Sequence, residues 1–275
     1  MRRPSVLRCS HFNRVLCVQS DVGESSLSWV VKINWLCFFV GIPYLVSMVI
    51  YPLTQGDWGH VHAVWYTWQS FNTGILAFIA SVFALNAVMY TEEKRRQRNF
   101  IAAKAFLPQA LSELCSYFEK SSKLVNEAWD RAKDKSDHCK TPLKENCPEL
   151  PVGYQQVFKD CISEASPEVA EHLAYILVRL QIHHSRMELL AKSFSADSHT
   201  IQDPLNLMAQ VFALAELQGL VNQLFKFSRG TAPFDNKPLG VDNFYSCYDN
   251  WGVEIDENDD LKGFTEINHS KRWNT

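Results

Sequence analysis

None of the common signatures of catalytic machinery occurs in these 275 residues: there is no P-loop, no G-x-G-x-x-G, no H-E-x-x-H, no G-x-S-x-G and no C-x-x-C. Phosphate cradles, dinucleotide sites, helical zinc sites and strand-borne serine nucleophiles each depend on such spacing. The expectation is therefore a protein that is not an enzyme and carries no cofactor. A basic excess is missing as well. Lys and Arg total 27 against 30 Asp and Glu, a net charge of -3. Neutralising phosphates needs the opposite balance, so nucleic acid is not an expected partner. The cysteines, at 9, 17, 37, 115, 139, 147, 161 and 247, form no regular framework, which suits a reducing compartment.

The most informative absence is local. Residues 33–51 and 71–90 contain no Asp, Glu, Lys or Arg. About twenty residues at about 1.5 Å each match the ~30 Å hydrocarbon core of a bilayer, so both read as transmembrane helices. Gly41 and Pro43 fall inside the first, where a proline frees a carbonyl and is expected to kink the helix. Between the spans, residues 52–70 hold Asp57, Trp58, Trp65, Trp68, Tyr66, His60 and His62, and no Lys or Arg. Tryptophan and tyrosine favour the headgroup layer, and the two histidines read as interfacial polar groups sooner than as metal ligands.

Positive charge sets the orientation. Arg2, Arg3, Arg8, Arg14 and Lys32 precede the first span, and Lys94, Arg95, Arg96 and Arg98 follow the second. The positive-inside rule puts both ends in the cytoplasm and the aromatic connection outside. Residues 1–28 read as a flexible cytoplasmic leader, since Arg2-Arg3 runs into no apolar segment of a secretion signal. Residues 29–91 form the expected hairpin. Along the second span, Gly74, Ala77, Ser81 and Ala84 recur at spacings of three and four, a small-residue face suited to close packing on the first span or on its copy in a dimer. Asn86 is the one strongly polar residue deep in that span, and an interhelical hydrogen bond is its ordinary role.

Residues 92–230 read as a cytoplasmic helical domain. Ala103, Leu107, Ala110, Leu114, Tyr117, Leu124 and Ala128 keep a three-four spacing, with Pro108 expected to kink that helix or start a new one. Residues 136–153 read as a loop; His138, Cys139 and Cys147 lack a usual zinc spacing. Ser166-Pro167-Glu168 suits a helix start capped by the serine hydroxyl. The helix that follows carries the seam Val169, Leu173, Ile176, Leu180, His183, Met187, Leu190 and Phe194. His183 is either a buried structural histidine, the commoner case, or a titratable switch near physiological pH. Glu168 with His172 and His184 with Glu188 read as surface pairs at i, i+4. A last long helix opens at Asp203-Pro204 and ends near Gly230; its apolar residues cover more than half its circumference, as a central bundle helix requires. Residues 231–275, with nine acidic and four basic side chains, read as an acidic tail pinned by aromatics. Asp256, Asn258 and Asp260 imitate a calcium loop, but Leu261 and Ile267 occupy its obligatory glycine and glutamate positions.

Trp68-Gln69, a short Gly/Ala-rich span, a charged flank and AAKAFLPQALSEL at 102–114 together resemble a group of bacterial inner-membrane proteins without established activity. Those share an aromatic-Gln lead-in and an A-A-(R/K)-A-x-L-P-x-A-L-S segment. The likeness covers residues 65–117, under a quarter of the chain, and Lys104 stands where arginine is commoner. It implies a membrane-anchored bacterial protein and brings no activity with it.

The expected architecture is an all-α membrane protein, a two-helix transmembrane hairpin followed by a cytoplasmic α-helical bundle. The leading functional expectation is an interaction or sensory module at the inner membrane. Its partners would be the bilayer, a cytoplasmic protein and, through the small-residue face, a second copy. The alternatives are a membrane-disrupting effector built from oligomerised hairpins and a hydrolase or metal enzyme using His172, His183 and His184.

Overall fold

A computed structural model describes residues 32, 34–35, 37–55, 58–134, 141–195 and 203–273. The expected leader, Asp57, His138 and Cys139 lie outside the described residues. Among those residues every regular element is helical. Two helices are long and apolar enough to cross a membrane, by length and composition. The chain divides between Gln97 and Arg98 into two compact units.

The first unit holds α1 (Cys37–Gln55), α2 (Trp58–Thr67) and the start of α3 (Gln69–Lys133). The backbone stays α-helical across Gly41 and Pro43, and a π-helical turn follows at Val46–Ile50. The extra residue of such a turn shifts the hydrogen-bond ladder by one. Most of the connection expected as an aromatic loop is helix α2, joined to α3 through a turn at Trp68, whose N–H reaches Val64 O at 3.1 Å.

Three pairings fix the register of α1 against α2 and α3. Trp65 meets Met48, Tyr44 meets Asn72, and Asn34 meets Asn86. As one partner's number falls the other's rises, so the helices run antiparallel. Ile75, Ile79, Val82, Asn86 and Met89 are the partly buried positions of α3 here, with Asn72 fully buried. Spacings of three and four make this one face of the helix. Phe71, Leu76, Phe78, Phe83, Leu85 and Val88 point outward and are exposed.

The second unit consists of the remainder of α3, α4 (Tyr154–Glu164), α5 (Pro167–Ser193), α6 (Pro204–Ser228), α7 (Val241–Asn250), a 3₁₀ turn (Ile255–Glu257) and α8 (Asp259–Trp273). Pro108 neither breaks α3 nor opens a new helix; α3 runs through it to Lys133. Leu107, Leu111, Leu114, Phe118, Leu124 and Val125 of α3 are fully buried in the core. All eight seam residues of α5, Val169 to Phe194, are buried. Ser166 begins α5 with its backbone carbonyl, which accepts from Ala170 N at 2.9 Å, and not with its hydroxyl. Asp203 does cap α6, accepting from Leu205 N at 3.0 Å. Almost every turn of α6 is buried, as a central helix must be.

The expected acidic tail is instead folded. Phe244, Cys247, Tyr248, Ile255, Leu261 and Thr265 are buried, and Phe212 of α6 stacks on Phe244 at 4.8 Å. Acidic residues lie on the outer faces of α7 and α8, which is why composition alone suggested a solvated segment. The 141–153 loop is strapped to α3: Glu127 accepts from the N–H groups of Lys144 and Glu145, and Arg131 donates to Thr141 and Pro142.

Candidate functional site

Polar side chains are costly in an apolar helix pair, and several of those here find partners within the pair. Asn34 and Asn86 exchange two hydrogen bonds, at 3.0 and 2.9 Å, and Asn86 also donates to Val82 O of its own helix. Tyr44 Oη donates to Asn72 Oδ1 at 2.8 Å. Pro52 has no N–H to give to the turn before it, and in that turn Trp65 Nε1–H donates to the Met48 carbonyl at 3.0 Å. Thr73 and Ser81 return their hydroxyls to the carbonyls of Gln69 and Ala77. Closing every backbone and side-chain polar group internally is what an element surrounded by hydrocarbon requires.

The small-residue face behaves differently from one of its two expectations. Gly74, Ala77, Ser81 and Ala84 are exposed, and a Cβ placed on Gly74 meets nothing within 4 Å. At about 100° per residue they lie roughly opposite the Asn72–Met89 face. They therefore lie away from α1, which meets Asn72 and Asn86 on the side where Ile75, Ile79 and Val82 are partly buried. Lys94, Arg95, Arg96 and Arg98 are exposed on α3. Glu92 lies 3.8 Å from Arg95 and Glu93 3.1 Å from Arg96, solvent-screened pairs that leave the flank basic.

In the bundle, His183 is buried and its ring meets Tyr117 edge-on at 6.0 Å. Burial, with Arg179, Arg186 and His184 nearby, pushes its pKa down to about 3. Charging the imidazole would put a cation in the core, which favours the structural role over the switch. Its Nε2 and Gln210 Oε1 are buried without a hydrogen-bond partner. Neighbouring His184 accepts or donates at Nδ1 with Tyr117 Oη at 3.2 Å, and its Nε2 lies 3.7 Å from Glu188. This pair borders an open groove of about 440 Å³ lined also by Cys147, Glu149 and Lys192. Burial raises the Tyr117 and Cys147 pKa values, so neither is an activated nucleophile at neutral pH.

His172, buried against Phe234 at 5.2 Å, and His183 are eleven residues apart on α5, about 16 Å along the axis. His172, His183 and His184 therefore form no joint site. Among the described residues no group of three or more His, Cys, Asp or Glu is placed to hold a metal.

One constellation had no sequence signal. Glu216 of α6 is 1% exposed and meets Arg179 of α5 at 2.6 Å and Arg272 of α8 at 2.9 Å. Tyr175 Oη donates to it at 3.2 Å and accepts from Arg272. One carboxylate thereby ties three helices together. The trace in the chain is Glu216 itself, the one acidic residue of α6.

Within residues 102–114, Leu107, Ala110, Leu111 and Leu114 are core residues and Lys104 Nζ sits 3.8 Å over the Phe227 ring. The segment is a packing surface. No family model, no curated protein and no solved structure matches this chain.

Proposed function

We propose that this protein is a membrane-anchored interaction or sensory module without catalytic activity, a transmembrane hairpin with a helical domain on the cytoplasmic side. The bacterial inner membrane follows from the resemblance of residues 65–117, and the orientation from the basic flanks. One observation carries the reading: the apolar window of α3 is 0% buried, while the same 65-residue helix supplies core residues further on. Phe71, Phe78 and Phe83 on a helix in water would be an unusual exposed patch, whereas in lipid they are in their solvent. A helix continuous across both units is suited to carrying a change at one end to a cytoplasmic partner at the other. Replacing Arg95, Arg96 and Arg98 with alanine should scramble reporter fusions at the C-terminus. Unchanged reporters would remove the flank assignment.

The exposed Gly74–Ala84 face favours a second reading, a membrane-disrupting effector in which hairpins oligomerise through small residues. Membrane potential separates the two. Depolarisation on expression of the full chain, abolished by Gly74→Leu or Ser81→Leu, is the effector's signature; a normal potential with one discrete crosslinked partner is the module's.

A further inference from the structure

Helix α5 is apolar on two faces. One is the buried seam. The other faces solvent and carries Val178, Ile182 and Leu189, 39%, 42% and 66% exposed, with Tyr175 at its edge, 37% exposed and held at its hydroxyl by Glu216 and Arg272. Their steps of three, four and seven follow a heptad, the spacing by which one helix receives another, with exposed Ser185 in place of a fourth apolar step and Arg186 beside it. A water-facing side of a bundle helix is ordinarily polar, and scattered single apolar residues need no explanation, but a register kept over two heptads does. Charge sits at the ends of the stripe. Glu171 precedes it and Lys192 follows it, both exposed and neither in an ion pair within the described chain.

We infer that a second copy of this chain docks on the outer face of α5, antiparallel, with the two-fold axis at Ile182. The stripe is self-complementary in that sense alone. Tyr175 and Leu189 lie seven residues either side of Ile182, so each opposes the other across the axis. Glu171 and Lys192 lie eleven and ten residues away, so each Glu171 faces the partner copy's Lys192, twice over, as an isologous interface demands. A parallel pairing would set glutamate against glutamate and lysine against lysine. This interface is separate from the small-residue face of α3 and does not depend on the membrane reading.

The test uses the full chain in detergent, with disulfide crosslinking read against the unsubstituted chain. Ile182→Cys, at the axis, should link to its copy under mild oxidation; Leu189→Cys should not, because its counterpart is about 21 Å away along an antiparallel helix. In the Ile182→Cys background, Glu171→Lys or Lys192→Glu alone should lower the linked fraction about fivefold from two like-charge contacts, and the two together should restore it. Both positions are exposed, so the fold should survive. No Ile182→Cys band above background overturns the proposal, as a lipid or a different protein would then cover the stripe. Equal linking at Leu189→Cys overturns the antiparallel register, and a double reversal no better than the singles overturns the charge pairing.

Discussion

Helix α3 reverses its outer and inner faces along its own length. Over its first turns the aromatic and aliphatic side chains point outward, and Asn72 and Asn86 point toward α1, where Tyr44 and Asn34 meet them. From Leu107 onward leucine, valine and phenylalanine turn inward, and Glu113, Glu119, Lys120 and Lys123 face out. The same helical geometry serves both, and under the membrane reading proposed above the difference records the surroundings. In hydrocarbon an apolar surface costs nothing and each polar group must be closed by a neighbour. In water the apolar area must be removed and polar groups are solvated at the surface. The bundle nevertheless holds polar groups away from water, among them the Glu216 cluster and His183, and these two are where the comparison is most easily broken.

The largest effect is expected at Glu216. Arg179→Ala leaves a buried carboxylate with one cation in place of two, and removing one partner of a buried pair costs about 3 kcal/mol. Thermal unfolding should show a correspondingly lower midpoint; a loss under about 1 kcal/mol would mean that Arg272 and Tyr175 suffice. His183 comes next. Its folded pKa is about 3 against the ordinary 6.5, so below pH 6.5 the unfolded chain takes up a proton that the folded chain refuses. Stability therefore falls as pH drops from 6.5 toward 3, by about 2 kcal/mol at pH 5 from this residue. Arg179, Arg186, His184 and Tyr117 face it, and none of them supplies an anion. His183→Leu should flatten the difference between pH 7 and pH 5, measured by denaturant unfolding. An unaltered slope would show that the ring reaches solvent.

Period was legible in the chain, and partnership over distance was not. The α5 seam follows from 3.6-residue spacing, and His183 belongs to it for the same reason. That spacing could not say whether the histidine titrates, because the answer depends on Arg179, Arg186 and the depth of the core. Glu216 needs Arg272, 56 residues on, and Asn86 needs Asn34, 52 residues back; no local pattern joins such pairs. In residues 231–275 the acidic composition outweighed a pattern that was present: Phe244, Cys247 and Tyr248, then Leu261 and Thr265, recur at helical spacing. The small residues of α3 were visible as a stripe, but α1 lies on the opposite side, where Ile75, Ile79 and Val82 are partly buried.

The smallest expected effect tests the apolar unit on its own terms. Asn34 and Asn86 satisfy one another, so changing either to leucine strands an amide and should weaken helix pairing by about 1 kcal/mol. Changing both removes the two groups together, and leucine at each position suits hydrocarbon, so the double variant should lose less than the sum of the singles. A double-mutant cycle on the full chain in detergent, read by unfolding in a denaturing surfactant, measures that coupling. Zero coupling would mean that the two amides each find other partners, and the antiparallel register would then rest on Tyr44–Asn72 and Trp65–Met48. A coupling near 1 kcal/mol would show that the two amides act as a pair, even though Asn86 also donates to Val82 O of its own helix.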